Sequence, residues 1–326
     1  MSKKKAPAKR GEKAHAERQR SASHAGFHFH NLYQCCQMKW FIRYLLRIET
    51  KYTATPLING AAFHEGKALF YTTGSRSKAL RKVETEIKSR RAEFESDEEY
   101  YKTFERCPVL LDYWINKFGY IDLKRFDLVD VEKELTVTIP GTSYVFTVRP
   151  DAIVKEKGKD GDWYGMETKT SSFSIKTTEI GVHYGDQATA YLWAAREHYG
   201  RPLYAVIPDI AYWNKSSTGP HNINCVRGDL VQRTEERMRQ FTAGIATLQN
   251  IISQKVEAYR QGADPYSLFQ RNTYYCDAYF KPCEFIEICD NNLTQVKRLP
   301  PGFKRSRKLI SPRPFDYVED KLANSL

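Results

Sequence analysis

The spacing of the apolar residues changes near Asp130, and that change limits the folds this chain can adopt. Over residues 80–118 apolar residues recur every three or four positions, which is typical of amphipathic helices. From Asp130 onward they alternate with polar residues, and Pro140-Gly141 ends the first alternating stretch. We therefore expect an α/β fold in which helices flank a mixed central β-sheet.

The boundaries of the predicted elements follow from the same patterns. A first helix is expected over residues 31–48, and a second is expected to open after Asn59-Gly60. The middle of the chain predicts three strands, a helix and a fourth strand, before a long helix. The predicted spans are 131–139, 143–154 and 163–170 for the three strands, 183–198 for the helix, 203–213 for the fourth strand and 230–259 for the long helix.

Most of the net charge of +12 lies at the two ends of the chain. Residues 1–20 hold eight Lys or Arg and two Glu, whereas residues 297–326 hold eight basic and three acidic residues. We expect a disordered basic tail over 1–24 and a basic, mostly irregular tail over 291–326. Such tails suit a polyanionic partner, although they can also simply aid solubility.

The sequence has no run of about eighteen consecutive apolar residues, the length that a membrane-spanning helix needs. Its first residues carry charge where a signal peptide has an apolar stretch. We therefore expect a cytoplasmic protein with no membrane partner.

One alternating stretch, residues 166–170, carries charged side chains in an apolar setting. Alternation places Glu167 and Lys169 on the same face of the strand. If this strand forms a hairpin with the one before it, Asp151 can meet Glu167, and two close carboxylates favour a shared cation such as Mg²⁺ or Mn²⁺. Such a cation activates water for phosphodiester hydrolysis, and a lysine beside it can neutralise developing charge. A surface ion pair across the hairpin is the alternative.

Four short elements follow one another in this chain, and together they are more specific than any one alone. They are Gly60-Ala61-Ala62-Phe63-His64, Arg149-Pro150-Asp151, Glu167-Thr168-Lys169 and Gln187-Ala188-Thr189-Ala190-Tyr191. In their order and their expected secondary structure they resemble the RecB-like branch of the PD-(D/E)XK nuclease superfamily. The resemblance extends from residue 31 to about residue 289.

The resemblance implies a restriction-endonuclease-like core with helical insertions over residues 25–290. It also implies a metal-dependent DNA nuclease, namely an exonuclease that acts on single strands or DNA ends in recombination, repair or phage DNA processing. A DNA-binding module that keeps the fold but does not cut is the alternative. The presence of Asp151, Glu167 and Lys169 argues against that alternative, because a site that has lost its activity is expected to lose at least one of them.

The roles of individual residues follow from the same resemblance. Lys169 corresponds to the catalytic lysine. Gln187 and Tyr191 lie four residues apart on one helix face, and the branch uses them to hold the nucleic acid and the active site. The implied ligands of the Mg²⁺ or Mn²⁺ ion are His64, Asp151, Glu167 and the main-chain carbonyl of Thr168.

The chain has seven cysteines, and an odd number in a cytosolic protein favours metal ligation or burial over a disulfide framework. Cys107 and Cys225 are interpreted as structural. Three others, Cys276, Cys283 and Cys289, lie within fourteen residues of one another.

The resemblance implies that these three cysteines and one N-terminal cysteine hold a [4Fe-4S] cluster. Cys35 is the preferred fourth ligand and Cys36 is the alternative. The cluster would join residues 31–48 to residues 270–290 in an iron-sulfur subdomain formed by both ends of the folded body. Four thiolates would also suit Zn²⁺, and a redox protein built around the cluster is a further alternative.

Overall fold

The computed structural model describes residues 26–158, 160–172, 174–213, 223–278, 281–290 and 299–306. The predicted tail over 1–24 and most of the predicted tail over 291–326 lie outside these residues. The strands are β1 (Ile48–Thr50), β2 (Phe126–Val131), β3 (Leu135–Thr138), β4 (Val145–Val148), β5 (Ala152–Glu156), β6 (Trp163–Ser171), β7 (Ala205–Trp213), β8 (Ile223–Arg227) and β9 (Phe303–Arg305).

The described helices fall into an N-terminal group, a central pair and a C-terminal group. They are α1 (Phe27–Cys35), α2 (Gln37–Trp40), α3 (Thr55–Thr73), α4 (Arg76–Ser89), α5 (Asp97–Trp114), α6 (Tyr120–Arg125), α7 (Ile175–Tyr184), α8 (Asp186–Tyr199), α9 (Glu235–Arg260), α10 (Pro265–Leu268) and α11 (Ile286–Asp290). None of the helices in this part of the chain is long and apolar enough to cross a membrane.

The central sheet has five strands in the order β2-β5-β6-β7-β8. All of its pairs are antiparallel except β6 and β7, which are parallel. A parallel pair needs a long crossover connection, and α7 and α8 lie within this one. The predicted α/β fold with a mixed central sheet is therefore confirmed.

Helices cover both faces of this sheet. On one face α3, α4 and α5 form an apolar core with alternate residues of β5, β6 and β7, such as Val154, Met166 and Ile207. On the other face α8 and α9 pack with the two-stranded sheet β3-β4 in a second core. Alternation along β6 therefore presents successive side chains to two differently built faces.

The first two predicted helices have different bounds in the structure. The helix predicted over 31–48 is interrupted at Cys36, whose backbone is extended, so α1 ends there and α2 begins. The second helix was predicted to open after Gly60, which is wrong, because α3 begins at Thr55 and contains Gly60. A Cβ atom at Gly60 would lie 3.3 Å from Oγ1 of Thr170, so this glycine permits α3 to approach β6 closely.

The first two predicted strands are each divided into two. The chain turns at Glu132, which has a left-handed backbone conformation with φ of 47°, and this turn separates β2 from β3. A second break at Arg149-Pro150-Asp151 separates β4 from β5. Pro150 has no N–H to donate to a neighbouring strand, which favours a break there.

The two ends of the described chain share a separate apolar core. It contains Trp40 and Phe41 from the first fifty residues, and Phe269, Phe285 and Phe303 from the last part. β1 pairs with β9, so the described part of the predicted C-terminal tail includes a strand. We call the described residues of 27–50 and 265–305 the terminal subdomain.

Candidate active site

A cavity of about 280 Å³ lies beside β5, β6 and α8. Phe27 and His28 of α1 also line this cavity, as do Glu132 and Arg149. It brings together six of the seven residues that the sequence assigns to hydrolysis or metal binding, namely His64, Asp151, Glu167, Lys169, Gln187 and Tyr191.

The hairpin on which the sequence prediction depends is present. β5 and β6 pair antiparallel with Ala152 opposite Met166, which places Asp151 beside Glu167 at the start of β5. Oδ2 of Asp151 accepts a hydrogen bond from the main-chain N–H of Thr168 at 2.6 Å. The carboxylate of Asp151 is thus fixed to the segment that carries Glu167 and Lys169.

A histidine and two carboxylates form a compact group in this cavity. Nδ1 of His64 lies 3.1 Å from Oδ1 of Asp151 and 3.6 Å from Oε1 of Glu132. One ligand atom from each of the three residues lies within 4.8 Å of the others. Nitrogen and oxygen donors at this spacing can converge on one divalent cation.

Glu132 was not among the predicted site residues, because it falls on a polar position of a predicted alternating strand. In the structure β2 ends at Val131, opposite Ala152, so Glu132 lies across from Asp151. The Glu132 N–H donates to the carbonyl of Asp151 at 3.1 Å. The strand alternation gave no signal for this position, because the left-handed turn that redirects the side chain is not visible in the pattern.

Glu167 is the most deeply buried acid of the cavity, with 3% of its surface exposed. One of its oxygens pairs with Lys169, while the other has no hydrogen-bond partner among the described residues. Burial raises the pKa of Glu167, and nearby Asp151 adds to this effect, although Lys169 opposes it. A buried carboxylate oxygen without a partner is unfavourable, and a bound cation would remove that penalty, so these residues fit a metal ion.

The pKa values of Asp151 and His64, two further candidate ligands, are shifted in opposite directions. Burial raises the pKa of Asp151, but His64, Lys67 and Lys169 outweigh it and hold the pKa below its ordinary value. Burial lowers the pKa of His64, but Asp151, Glu132 and Glu167 outweigh it and raise the pKa. Without a cation, His64 therefore tends to carry the positive charge that the carboxylates attract.

A chain of hydrogen bonds holds Lys169 in place. Its Nζ donates to Oε1 of Gln187 at 2.7 Å, and Nε2 of Gln187 donates to the Tyr191 hydroxyl at 2.7 Å. That hydroxyl donates to the carbonyl of Arg149 at 3.3 Å. Burial lowers the pKa of Lys169, but Glu167 and Asp151 raise it more strongly, so the lysine remains an ammonium ion.

Thr168, the seventh predicted residue, does not line the cavity with its side chain. The strand alternation turns it to the opposite face of the sheet, where Oγ1 accepts a hydrogen bond from Lys67. The predicted role of Thr168 concerns its main-chain carbonyl, and that role stays a prediction.

The cysteines predicted to hold a cluster lie in the terminal subdomain. The main-chain N–H of Cys283 donates to the carbonyl of Cys276 at 2.6 Å. Burial raises the pKa of Cys289 to about 11, and the neighbouring sulfurs of Cys36 and Cys276 add to this effect. The thiol of Cys283 is also buried enough to have a raised pKa, and Cys36 contributes to it.

Cys36, the alternative fourth ligand of the sequence prediction, contributes to both of these raised pKa values, and the choice between it and the preferred Cys35 stays a prediction. Cys36 is buried and its sulfur acts on two of the C-terminal cysteines. Cys35 takes part through its main-chain carbonyl, which accepts a hydrogen bond from Asn272 at 3.0 Å. Cys107 and Cys225 are buried in the core on the α3, α4 and α5 side of the central sheet, which agrees with their interpretation as structural residues.

Carboxylates, a histidine and a lysine around one cavity, carried by a mixed sheet between helical layers, define a class of hydrolytic metal site. The family model of the PD-(D/E)XK nuclease superfamily matches residues 29–290, and the chain belongs to this superfamily. Membership of its RecB-like branch stays a prediction.

Two solved structures are similar to the chain at low sequence identity. A candidate exonuclease from Eubacterium rectale is 11% identical with a TM-score of 0.40, over 84% of this chain and 85% of that one. The structure of SSO0001 is 17% identical with a TM-score of 0.26, over 50% of this chain and 70% of that one. Among curated proteins, none matches this chain significantly.

Proposed function

We propose that this protein is a metal-dependent deoxyribonuclease that hydrolyses phosphodiester bonds. The observation that carries the proposal is the buried Glu167 oxygen, which has no hydrogen-bond partner in the described part of the chain and lies in the same cavity as His64, Glu132 and Asp151. These four residues would hold one Mg²⁺ or Mn²⁺ ion, with the main-chain carbonyl of Thr168 as a further ligand that the family resemblance implies. Such an ion polarises a phosphoryl oxygen and lowers the pKa of a bound water.

The remaining residues of the cavity act on the substrate and on one another. Lys169 is held as a cation between Glu167 and Gln187, so it can orient the attacking water and neutralise charge that develops on the phosphate. Tyr191 is a neutral phenol, since burial and the nearby carboxylates raise its pKa well above the ordinary value. Its role is to fix Gln187, and through it the position of Lys169.

We further propose that the enzyme is an exonuclease for single strands or DNA ends. The cavity where this activity would take place has a volume of about 280 Å³. Phe27 and His28 stand in its wall, and rings in such positions can stack on an unpaired base. The proposed place in recombination, repair or phage DNA processing is supported by the resemblance to the RecB-like branch.

Digestion of end-labelled DNA tests this function. Single- and double-stranded DNA and matched RNA are incubated with Mn²⁺, Mg²⁺ or EDTA, for the wild type, Glu167→Ala and the exposed control Glu95→Ala. We expect mononucleotides or short products from one end, cleavage of DNA only with metal, and no cleavage by Glu167→Ala. A wild-type protein that binds DNA but never cuts it would instead support the non-cleaving module.

We also propose that Cys36 and the three C-terminal cysteines hold a [4Fe-4S] cluster. The proposal is supported by the packing of Cys36, Cys283 and Cys289 in the apolar core of the terminal subdomain, by the contributions of Cys36 and Cys276 to the raised pKa of Cys289, and by the family resemblance. Iron, sulfide and zinc contents and the visible spectrum of anaerobically purified protein distinguish the metals. Cys36→Ser should lose the cluster and Cys35→Ser should keep it. Zinc without visible absorbance would contradict the iron-sulfur proposal.

A further inference from the structure

A second group of charged side chains lies on the face of the central sheet opposite the cavity lysine. Lys67, Asp122 and Asp209 are each 1% exposed, and Arg227 pairs with both carboxylates. Two cations and two carboxylates balance each other there. Buried charges are tolerated when they are paired and hydrogen-bonded in this way.

Lys67 connects this group to the active-site strand. Its Nζ donates to Oγ1 of Thr168 and lies 3.6 Å from Oδ2 of Asp209. It also lies 4.7 Å from the ring centroid of Trp114, whose indole N–H donates to Asp209 at 3.0 Å. Asp209 is held by Arg227 as well, at 2.8 Å. The ammonium group of Lys67 therefore contacts Asp209, Trp114 and Thr168, and Thr168 is the partner that lies on β6.

The positions along the elements explain why this contact reaches the cavity. Thr168 and Asp209 are paired in the parallel register of β6 and β7, so their side chains share one face. Glu167 and Lys169 flank Thr168 and point to the other face. On α3, Lys67 follows His64 by three residues, which places both on the same side of that helix.

We infer that Lys67 is a positioning residue for the metal site, acting through the hydroxyl of Thr168. The contact fixes the peptide of Thr168, whose N–H holds Oδ2 of Asp151 at 2.6 Å. It also ties the helix that carries His64 to the strand that carries Glu167. This inference rests on the proposed metal-dependent function, and it assigns a role to a lysine outside the cavity.

A purely structural role for this buried network is the competing explanation, and metal affinity separates the two. Thr168→Val removes the hydroxyl, whereas Thr168→Ser retains it. Lys67→Met removes the ammonium and leaves Asp209 paired with Arg227. Glu95→Ala, at an exposed position, is the surface control.

Mn²⁺ binding to the full chain is measured by calorimetric titration without DNA, and thermal unfolding is recorded for each variant. We expect Thr168→Val and Lys67→Met to weaken Mn²⁺ binding about ten- to hundredfold, as is typical when a group that orients metal ligands is lost. Glu95→Ala should bind Mn²⁺ like the wild type, and Thr168→Ser should lose less affinity than Thr168→Val because it retains the hydroxyl. The double variant of Lys67→Met and Thr168→Val should bind Mn²⁺ no more weakly than the weaker-binding single variant, because each change breaks the same hydrogen bond between Lys67 and Thr168.

Lower thermal stability with unchanged Mn²⁺ affinity in Thr168→Val and Lys67→Met would overturn the inference and leave a structural network. So would additive losses in the double variant. A wild type that binds no Mn²⁺ would overturn both this inference and the proposed function. A wild type that binds Mn²⁺ and responds to the variants as expected, but cuts no DNA, would overturn only the proposed function.

Discussion

In the metal-free protein, the ionised side chain of Glu167 in the cavity lowers the free energy of unfolding. Its pKa is raised in the folded state, so the ionised side chain is less favourable there than in the unfolded chain. That cost is present above the ordinary pKa of a glutamate and disappears as the pH falls and the side chain takes up a proton. A residue retained against stability in this way is typical of a functional site.

Glu167→Gln should therefore raise the melting temperature in EDTA at neutral pH, and the gain should shrink at acid pH. The same variant should lose about a thousandfold or more in cleavage, since metal-assisted charge stabilisation contributes several kcal/mol. Thermal unfolding in EDTA and a single-turnover digestion measure the two effects, with Glu95→Gln as the surface control. A lower melting temperature at neutral pH would contradict the assignment of Glu167 as a strained ligand.

The raised pKa of His64 gives the metal-free protein a pH dependence of the opposite sign. The ion pair with Asp151 stabilises the fold fully below the ordinary histidine pKa of about 6.5, and this contribution is lost as the pH rises through the raised value. In EDTA, the free energy of unfolding should therefore decrease as the pH rises above the ordinary histidine pKa, and His64→Gln should flatten this decrease. Urea unfolding at several pH values measures it. An unchanged slope in the variant would show that another group is responsible.

At the scale of the elements, α3 packs closely against α4 and α5 around Gly66. A Cβ atom at Gly66 would come within 2.4 Å of side-chain atoms of both Val83 in α4 and Leu111 in α5. Gly66→Ala should destabilise the protein by about 1–3 kcal/mol, because the added methyl group overpacks the core. Gly244→Ala in α9 meets nothing within 4 Å and should instead stabilise by about 0.5–1 kcal/mol. Urea unfolding compares the two, and equal effects would show that α3 is not tightly packed.

The sequence predicted the bounds of an element well where one face of that element is apolar and the other is polar. The alternation around Glu167 and Lys169 predicted β6 almost to its ends, and the pattern of helices and strands in the middle of the chain predicted the mixed sheet. The sequence predicted the turns less well, because the spacing of apolar residues does not reveal the left-handed backbone of Glu132 or the break at Pro150. Gly60 was misread as a helix-start signal because only the packed structure reveals that β6 lies against it.

At the scale of the whole molecule, charge is distributed very unevenly along the chain. The first twenty residues alone carry a net charge of +6, half of the total of +12. The active-site cavity, in contrast, gathers several carboxylates, which a polyanion would not approach without a cation or nearby basic groups. We therefore expect the first twenty residues to contribute to DNA binding, whereas cleavage depends on the residues of the cavity.

Deletion of residues 1–24 should weaken DNA binding at low salt and reduce the slope of affinity against salt concentration. Each phosphate contact that is lost changes this slope by about 0.7 for single strands. Fluorescence anisotropy in EDTA measures binding without cleavage, and replacement of the eight basic residues of this segment by Ser or Gln is the length-matched control. Equal slopes for all three proteins would show that this segment does not contact DNA.

The pairing of β1 with β9 has a consequence for how the molecule is made. α1, which brings Phe27 and His28 to the cavity wall, rests on apolar residues near both ends of the described chain and is tied through His30 to Gln249 of α9 at 2.9 Å. Contacts so distant in sequence form late, because a long loop must close first. During synthesis the strands bearing the acids leave the ribosome well before the segment that seats α1. A polypeptide that has been synthesised only as far as β8 therefore carries Glu132, Asp151 and Glu167 without the packing that holds α1 in the cavity wall.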